Sequence, residues 1–208
     1  WGLDIVVTGS QKGFMLPTGL AFIAVSDRAW KAIEQNDTKG YYLDLTKHRD
    51  ALEKGNTPFT PALGLFHGLD AVLDQLEEEG VEEVYARHTL MRDMTRAALK
   101  ALDVNLLVED AYASPSVTAV APTDFDAQAF RKVLKEDFNI DVASGLDKMT
   151  DTIFRIGHMG YCSPADVLQY ISAFEIALTK VGKTIELGAG TRAAQEIYLQ
   201  KTTTTVTQ

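Results

Sequence analysis

The sequence is poor in cysteine, in cationic charge and in long apolar runs. One cysteine, Cys162, in 208 residues has no partner for an internal disulfide and suits a reducing compartment such as the cytoplasm. Lys and Arg number 20 against 29 Asp and Glu, giving a formal net charge of −9 and a pI near 4.9. That balance excludes a nucleic-acid groove, which needs a clustered basic surface. No stretch approaches the ~18 apolar residues of a membrane span. The first residues, from Trp1, hold no charged-then-apolar leader of the secretory kind. No residues are assigned to a metal. What is left, 46% hydrophobic and 24% charged, is the composition of a soluble globular chain of one or two domains.

Against that background one stretch near the start stands out. Leu3-Asp4-Ile5-Val6-Val7-Thr8 reads as an apolar strand that ends in Gly9-Ser10-Gln11-Lys12-Gly13, and a second apolar strand follows at 20–25. Burying a lysine charge is costly, so a lysine placed directly after an apolar strand and between two glycines is a candidate for chemistry. A desolvated amine has a lowered pKa and forms a Schiff base with a carbonyl. The plainer reading is a strand-end lysine turned to solvent in an ordinary loop, and the Lys-Gly pair by itself leaves both open.

The middle of the chain reads as helical. Ser26-Asp27 caps a helix over 28–35 that breaks at 36–40, and 44–54 is polar and helix-compatible. Residues 55–61, Gly-Asn-Thr-Pro-Phe-Thr-Pro, form an extended loop because two prolines fix φ and bias Thr57 and Thr60 away from the α region. Thr60 then N-caps the next helix with Pro61 at its first position, and the same helix N-terminus with a hydroxyl would suit a phosphate. Leu65, Leu69, Val72 and Leu76 make an apolar stripe, with His67 read as a packed or solvated residue. A longer helix over 81–102 follows, and its Arg87, His88, Arg92, Arg96 and Lys100 read as a solvated face.

The last half alternates strands and helices. Strands are expected at 104–108, 117–121, 140–142 and 152–156, and helices at 126–138, 164–181 and 193–199. Ser163-Pro164 supplies a start signal. The glycine-containing stretch 182–190 reads as a loop, and 202–208 as a frayed tail. The pattern is that of an α/β sandwich with helices covering a small sheet. Within Thr152-Ile153-Phe154-Arg155-Ile156-Gly157-His158 the arginine interrupts an apolar strand. Such an arginine is either paired, because an unpaired buried charge is costly, or packs its stem and sends its head to water.

Thr8-Gly9-Ser10-Gln11-Lys12-Gly13 with Pro17-x-Gly19-Leu20 closely resembles the pyridoxal-phosphate lysine region of the class V aminotransferases, most of all the alanine/serine–glyoxylate branch. The resemblance implies that Lys12 is the Schiff-base lysine and that Gln11 contacts the cofactor phosphate. By it the 55–61 loop crosses a homodimer interface, where Thr60, or less well Thr57, meets the phosphate of the partner subunit's cofactor. Arg155 becomes the residue that grips the substrate α-carboxylate with its planar fork, with His158 near enough to line the site. The implied fold is the C-terminal part of an aspartate-aminotransferase-type (fold type I) enzyme. Residues 1–80 would close the large cofactor-binding domain, and 81–208 would form a small α/β domain.

The implied activity is transamination of alanine or serine with glyoxylate, giving glycine, with amino acid and 2-oxo acid as substrates. The implied partners are a second subunit and an N-terminal half, where the family carries its pyridine-pairing aspartate, its ring-stacking aromatic and its first phosphate loop. A same-fold lyase such as a cysteine desulfurase is the alternative. Those enzymes usually carry His directly before the lysine, where this chain has Gln11. Phosphoserine aminotransferases typically follow Gln-Lys with Asn, where this chain has Gly13. A third reading is an inactive fragment or assembly module that lacks a complete site.

Overall fold

Short runs of apolar, largely β-branched or aromatic residues make Ile5–Gly9 (β1) and Ala21–Val25 (β2) an antiparallel pair, with Ile5 opposite Val25 and Gly9 opposite Ala21. The computed structural model describes residues 1–37 and 40–203 and divides into two units, Trp1–Glu78 and Glu79–Gln208. In the first unit Ser26 caps Asp27–Gln35 (α1) as expected, its Oγ accepting from the Ala29 N–H at 3.1 Å and donating to Asp4 Oδ1 at 2.7 Å. Asp4 also pairs with Arg28, and that bond, with the one from Ser26, holds its carboxyl down at about 2. The start of β1 is thereby tied to the start of α1. Leu45–Leu52 (α2) and Leu63–Glu79 (α3) complete the unit.

One expectation fails here. Thr60 and Pro61 do not open α3, because the helix begins at Leu63 and its first turn closes from the Phe66 N–H to the Ala62 carbonyl at 3.2 Å. The reason lies upstream. Thr57 Oγ1 donates to the Phe59 carbonyl at 2.7 Å, the chain bends at 58–59, and the Phe59 ring packs on Tyr42 and Tyr41 with centroids 4.8 and 5.6 Å away, so this stretch is fixed as a loop. The short apolar run at 41–43 forms no strand and is exposed. Among the described residues of this unit, only Ala29 and Val72 are buried apolar side chains.

The second unit has a core of its own. Val81–Ala101 (α4), Ala127–Phe138 (α5), Pro164–Lys180 (α6) and Ala189–Thr202 (α7) surround a sheet of Val117–Val120 (β3), Ala143–Ser144 (β4) and Phe154–Gly157 (β5), in the order β3-β5-β4 with both pairs antiparallel. Phe130 of α5, Phe154 of β5 and Phe174 of α6 meet at centroid distances of 4.9, 5.2 and 6.5 Å, all fully buried. Each such ring contributes roughly 1.5–3 kcal/mol by burial. Asp126 caps α5, and Ser163 with Asp166 forms a complete capping box ahead of Pro164 on α6.

The strand expected at 104–108 is reduced to a single bridge between Leu106 and Val120, and that expected at 140–142 is replaced by β4 one residue later. Helix α7 starts at Ala189, inside the expected loop, and runs to Thr202; residues 204–208 of the expected frayed tail lie outside the described residues. No described helix is long and apolar enough to cross a membrane.

The early start of α7 has a specific cause. Gly188 at its N-cap carries no side chain, and the buried Glu175 of α6 takes over that role. Its Oε2 accepts from the Gly188 N–H at 2.6 Å and its Oε1 from the Thr191 N–H at 2.9 Å. A carboxylate at a helix N-terminus is favoured by the exposed N–H groups and the helix dipole. Glu175→Ala is expected to lower stability by about 1–3 kcal/mol in urea unfolding, since it leaves two half-buried N–H groups without their carboxylate, and Glu175→Gln, which keeps one acceptor, by less.

Candidate functional site

Lys12 sits on the turn that leaves β1, and the turn is built by Ser10. Ser10 is fully buried; its Oγ donates to the Pro17 carbonyl at 2.7 Å and accepts from the Leu20 N–H at 3.1 Å. Its own N–H reaches the Leu20 carbonyl at 3.0 Å and its carbonyl accepts from the Leu16 N–H at 3.0 Å. Both ends of the 11–19 segment are therefore held at one residue. The side chains of Gln11 and Lys12 are exposed, and among the described residues neither has a hydrogen-bond or ion-pair partner. Gln11 folds back over Gly9: a Cβ on residue 9 would stand 2.7 Å from Gln11 Oε1, so glycine there leaves the carboxamide its place. Beyond Lys12, a Cβ on Gly13 would meet nothing within 4 Å.

Thr57 and Thr60 share the loop ahead of α3, and no hydrogen bond among the described residues joins that loop to the Lys12 turn. Thr57 is half-buried with its hydroxyl committed to Phe59, whereas Thr60 is exposed and its hydroxyl has no partner among the described residues. His48, whose Nε2 lies 3.2 Å from the Tyr42 carbonyl, and Lys47, 4.2 Å over the Tyr41 ring, brace the aromatic residues under the loop.

Arg155 belongs to the second unit and lies on β5, the central strand. Phe154 and Ile156 point into the core, so Arg155 stands on the opposite face of the sheet. Its Nε donates to the Ser144 carbonyl at 2.9 Å, and Nη1 and Nη2 have no partner among the described residues. The side chain is half-buried, so one edge of the fork is anchored and the other is left for an anion.

The segment that follows is pinned by two side chains of α4. Arg87 grips both oxygens of Glu79, at 2.6 and 2.9 Å, and its Nη1 donates to the carbonyls of Gly160 at 2.9 Å and Cys162 at 2.8 Å. His88 donates from Nδ1 to the Val84 carbonyl at 2.7 Å and accepts the Gly160 N–H on Nε2 at 3.1 Å. The solvated face expected on α4 is thus wrong at Arg87 and His88, and also at Arg96, which is 3% exposed and bonds Asp110 and the Val108 carbonyl. Their carbonyl partners lie up to 75 residues away, which no local charge pattern reveals. Ser10 was likewise given no role from sequence.

His158 does not line a site. It is fully buried, with Nδ1 donating to the Pro115 carbonyl at 3.0 Å and Nε2 accepting from Thr118 Oγ1 at 2.9 Å. Burial, with smaller contributions from His88 and Arg92, pulls its pKa from 6.5 down to about 4. Burial pushes the half-buried Cys162 thiol up, away from the range of a reactive thiolate. No cluster of His, Cys, Asp and Glu among the described residues is placed to hold a metal.

With this geometry in hand, the profile described as aminotransferase class-V matches residues 1–169. The chain belongs to the class V aminotransferase family. It is 44% identical to a protein of Synechococcus sp. named the small subunit of a soluble hydrogenase, covering 95% of this chain and 52% of that one. It is 37% identical to the serine–glyoxylate aminotransferase of Hyphomicrobium methylovorum, over 100% of this chain and 52% of that one. The crystal structure of pyridoxamine–pyruvate aminotransferase from Mesorhizobium loti matches with a TM-score of 0.89 at 31% identity, over 95% of this chain and 52% of that chain. This class V chain spans about half the length of the curated relatives it matches. The family uses pyridoxal phosphate, and the fold is that of the C-terminal part of fold type I enzymes.

The neutral, enclosed His158 sets a pH dependence. Its folded pKa lies below the unfolded value of 6.5, so as pH falls below 6.5 the unfolded chain binds a proton that the folded one refuses until about 4. Stability from this group is complete above 6.5 and is lost on the way down. Urea unfolding is expected to show about 2 kcal/mol less stability at about pH 5 than at about pH 7, and His158→Gln should flatten that slope.

Proposed function

We propose that this chain is the C-terminal half of a pyridoxal-phosphate-dependent enzyme that transfers the amino group of a small amino acid, alanine or serine, to glyoxylate, giving glycine. The observation that carries the reading is the Lys12 turn: an amine and a carboxamide, both unpartnered and adjacent, on a backbone locked by Ser10. The residues present fit the aldehyde and phosphate of the cofactor. An amine is the group an aldehyde bonds, a carboxamide N–H suits a phosphate oxygen, and Gly9 keeps room for it. When bound, the cofactor supplies an electron sink for the Cα–H bond that is broken.

Within that reading Lys12 Nζ is the covalent anchor and, as a free amine, the base that takes the proton from substrate Cα. Gln11 fixes the phosphate end, and Arg155 orients the substrate through its carboxylate. Thr60, with its unpartnered hydroxyl, is the stronger candidate for a phosphate contact across a homodimer, and Thr57 the weaker. The raised pKa of the Cys162 thiol counts against a desulfurase. The glyoxylate acceptor is supported by the relative of that name.

The same reading gives the first unit a partner. Ile5, Val6 and Val7 are 50%, 46% and 63% exposed, so β1 shows apolar side chains on both faces. A sheet buried on both faces reads as a continuous apolar run rather than an alternating one. The N-terminal half of the enzyme is the covering that such a strand fits.

Reduction with borohydride in the presence of pyridoxal phosphate, followed by peptide mass spectrometry, tests the assignment. The expected outcome is a phosphopyridoxyl adduct on Lys12 that disappears in Lys12→Arg. Adducts spread evenly over surface lysines would overturn the role given to Lys12.

A further inference from the structure

Arg155 occupies the central strand, so it has a directly opposite residue on each side. Both are alanines: Ala119 on β3 and Ala143 on β4. Opposite residues of an antiparallel pair point to the same face with Cβ atoms about 4.5–5.5 Å apart. The next position along β5 on that face is Gly157, whose partner is Val117. Directly beside the guanidinium that face therefore carries only the two methyl groups, with Val117 one position further along β3, while Phe154 and Ile156 fill the other face. Strands ordinarily favour β-branched and aromatic residues, which would rise beside the arginine and cover it.

The anchor on Ser144 adds direction. Because Nε is spent on the Ser144 carbonyl, the side chain leans toward β4, across the line of Ala143. A carboxylate can then take only the Nη1–Nη2 edge, end-on, in a two-bond arrangement. A larger residue at 143 would lift the guanidinium off the Ser144 carbonyl, and a larger residue at 119 would crowd the opposite side of the fork.

We infer that Ala119 and Ala143 are specificity-determining residues, which by their small size seat the carboxylate of a short 2-oxo or 2-amino acid end-on against Arg155. The inference rests on the reading that Arg155 holds the substrate carboxylate, and goes beyond it by naming what sets the geometry and the size of the ligand. Neither alanine forms a covalent or proton-transfer contact. They act through the position of the arginine and the space beside it.

The test is a titration of the 15N-labelled chain with glyoxylate, and separately with pyruvate, followed at the Arg155 Nε–H resonance, with acetamide as the uncharged control. The wild-type resonance is expected to shift saturably with both acids and not with acetamide, and Arg155→Gln is expected to abolish the response. Ala143→Val and Ala119→Val suit a strand and should leave thermal unfolding unchanged. Each is expected to raise the dissociation constant for glyoxylate at least about tenfold, near 1.4 kcal/mol, and Ala143→Val should also shift the Nε–H resonance before any ligand is added. If both valine variants bind glyoxylate as the wild type does while Arg155→Gln does not, the inference is overturned and the role of Arg155 stands. If glyoxylate leaves the wild-type resonance unmoved, the carboxylate reading falls, and this inference with it.

Discussion

The contact between Phe154 and its neighbours Phe130 and Phe174 is the packing event on which the second unit depends. A strand alternates its side chains, so committing Phe154 and Ile156 to the core commits Arg155 to the other face. A slip of one residue in β5 would bury the guanidinium against Phe130 and Phe174 and expose Phe154 and Ile156. The cost of that exchange, a buried unpaired charge together with lost apolar burial, fixes the register far more firmly than the few hydrogen bonds of the short sheet. The position of the arginine is thus a by-product of aromatic packing on the reverse side of the strand.

Beyond β5 the chain makes a polar loop against a helix, and the helix supplies the partners that the loop backbone lacks. Arg87 covers two carbonyls, His88 accepts an N–H, and the imidazole of His158 reaches back to 115 and 118. A buried backbone group without a partner costs on the order of 1–3 kcal/mol, so three side chains placed here do the work that a longer sheet would do elsewhere. The same principle appears at α7, where Glu175 from one helix stands in for the missing cap of another.

Local signals in the sequence carried far. Ser26 and Ser163-Pro164 each placed a helix start within a residue, because a cap is an interaction between near neighbours. Thr60-Pro61 carries the same signal and failed, because the ring of Phe59 finds partners at 41 and 42 that fix the preceding residues as a loop. The run 104–108 has strand composition, yet only Leu106 forms a bridge. Of the apolar positions spaced along 81–102, Met91, Met94, Ala98 and Leu102 are buried and Val84 is half-buried. Arg87 and Arg96 among them escaped detection because each binds carbonyls brought in by folding as well as a carboxylate, and backbone has no sequence signature. At the candidate site the motif around Lys12 was legible, whereas the locking role of Ser10 and the anchor at Ser144 belong to carbonyls and amides brought in by folding.

The bare hairpin of β1 and β2 also bears on how such a chain behaves during synthesis. Among the described residues it pairs with no third strand, so both of its edges offer unpaired backbone N–H and C=O groups alongside Ile5, Val7 and Ile23. That combination is a template for strand addition by any extended, apolar polypeptide. The hairpin is therefore the part of the described chain most open to edge-to-edge pairing with another copy of itself, and so to aggregation.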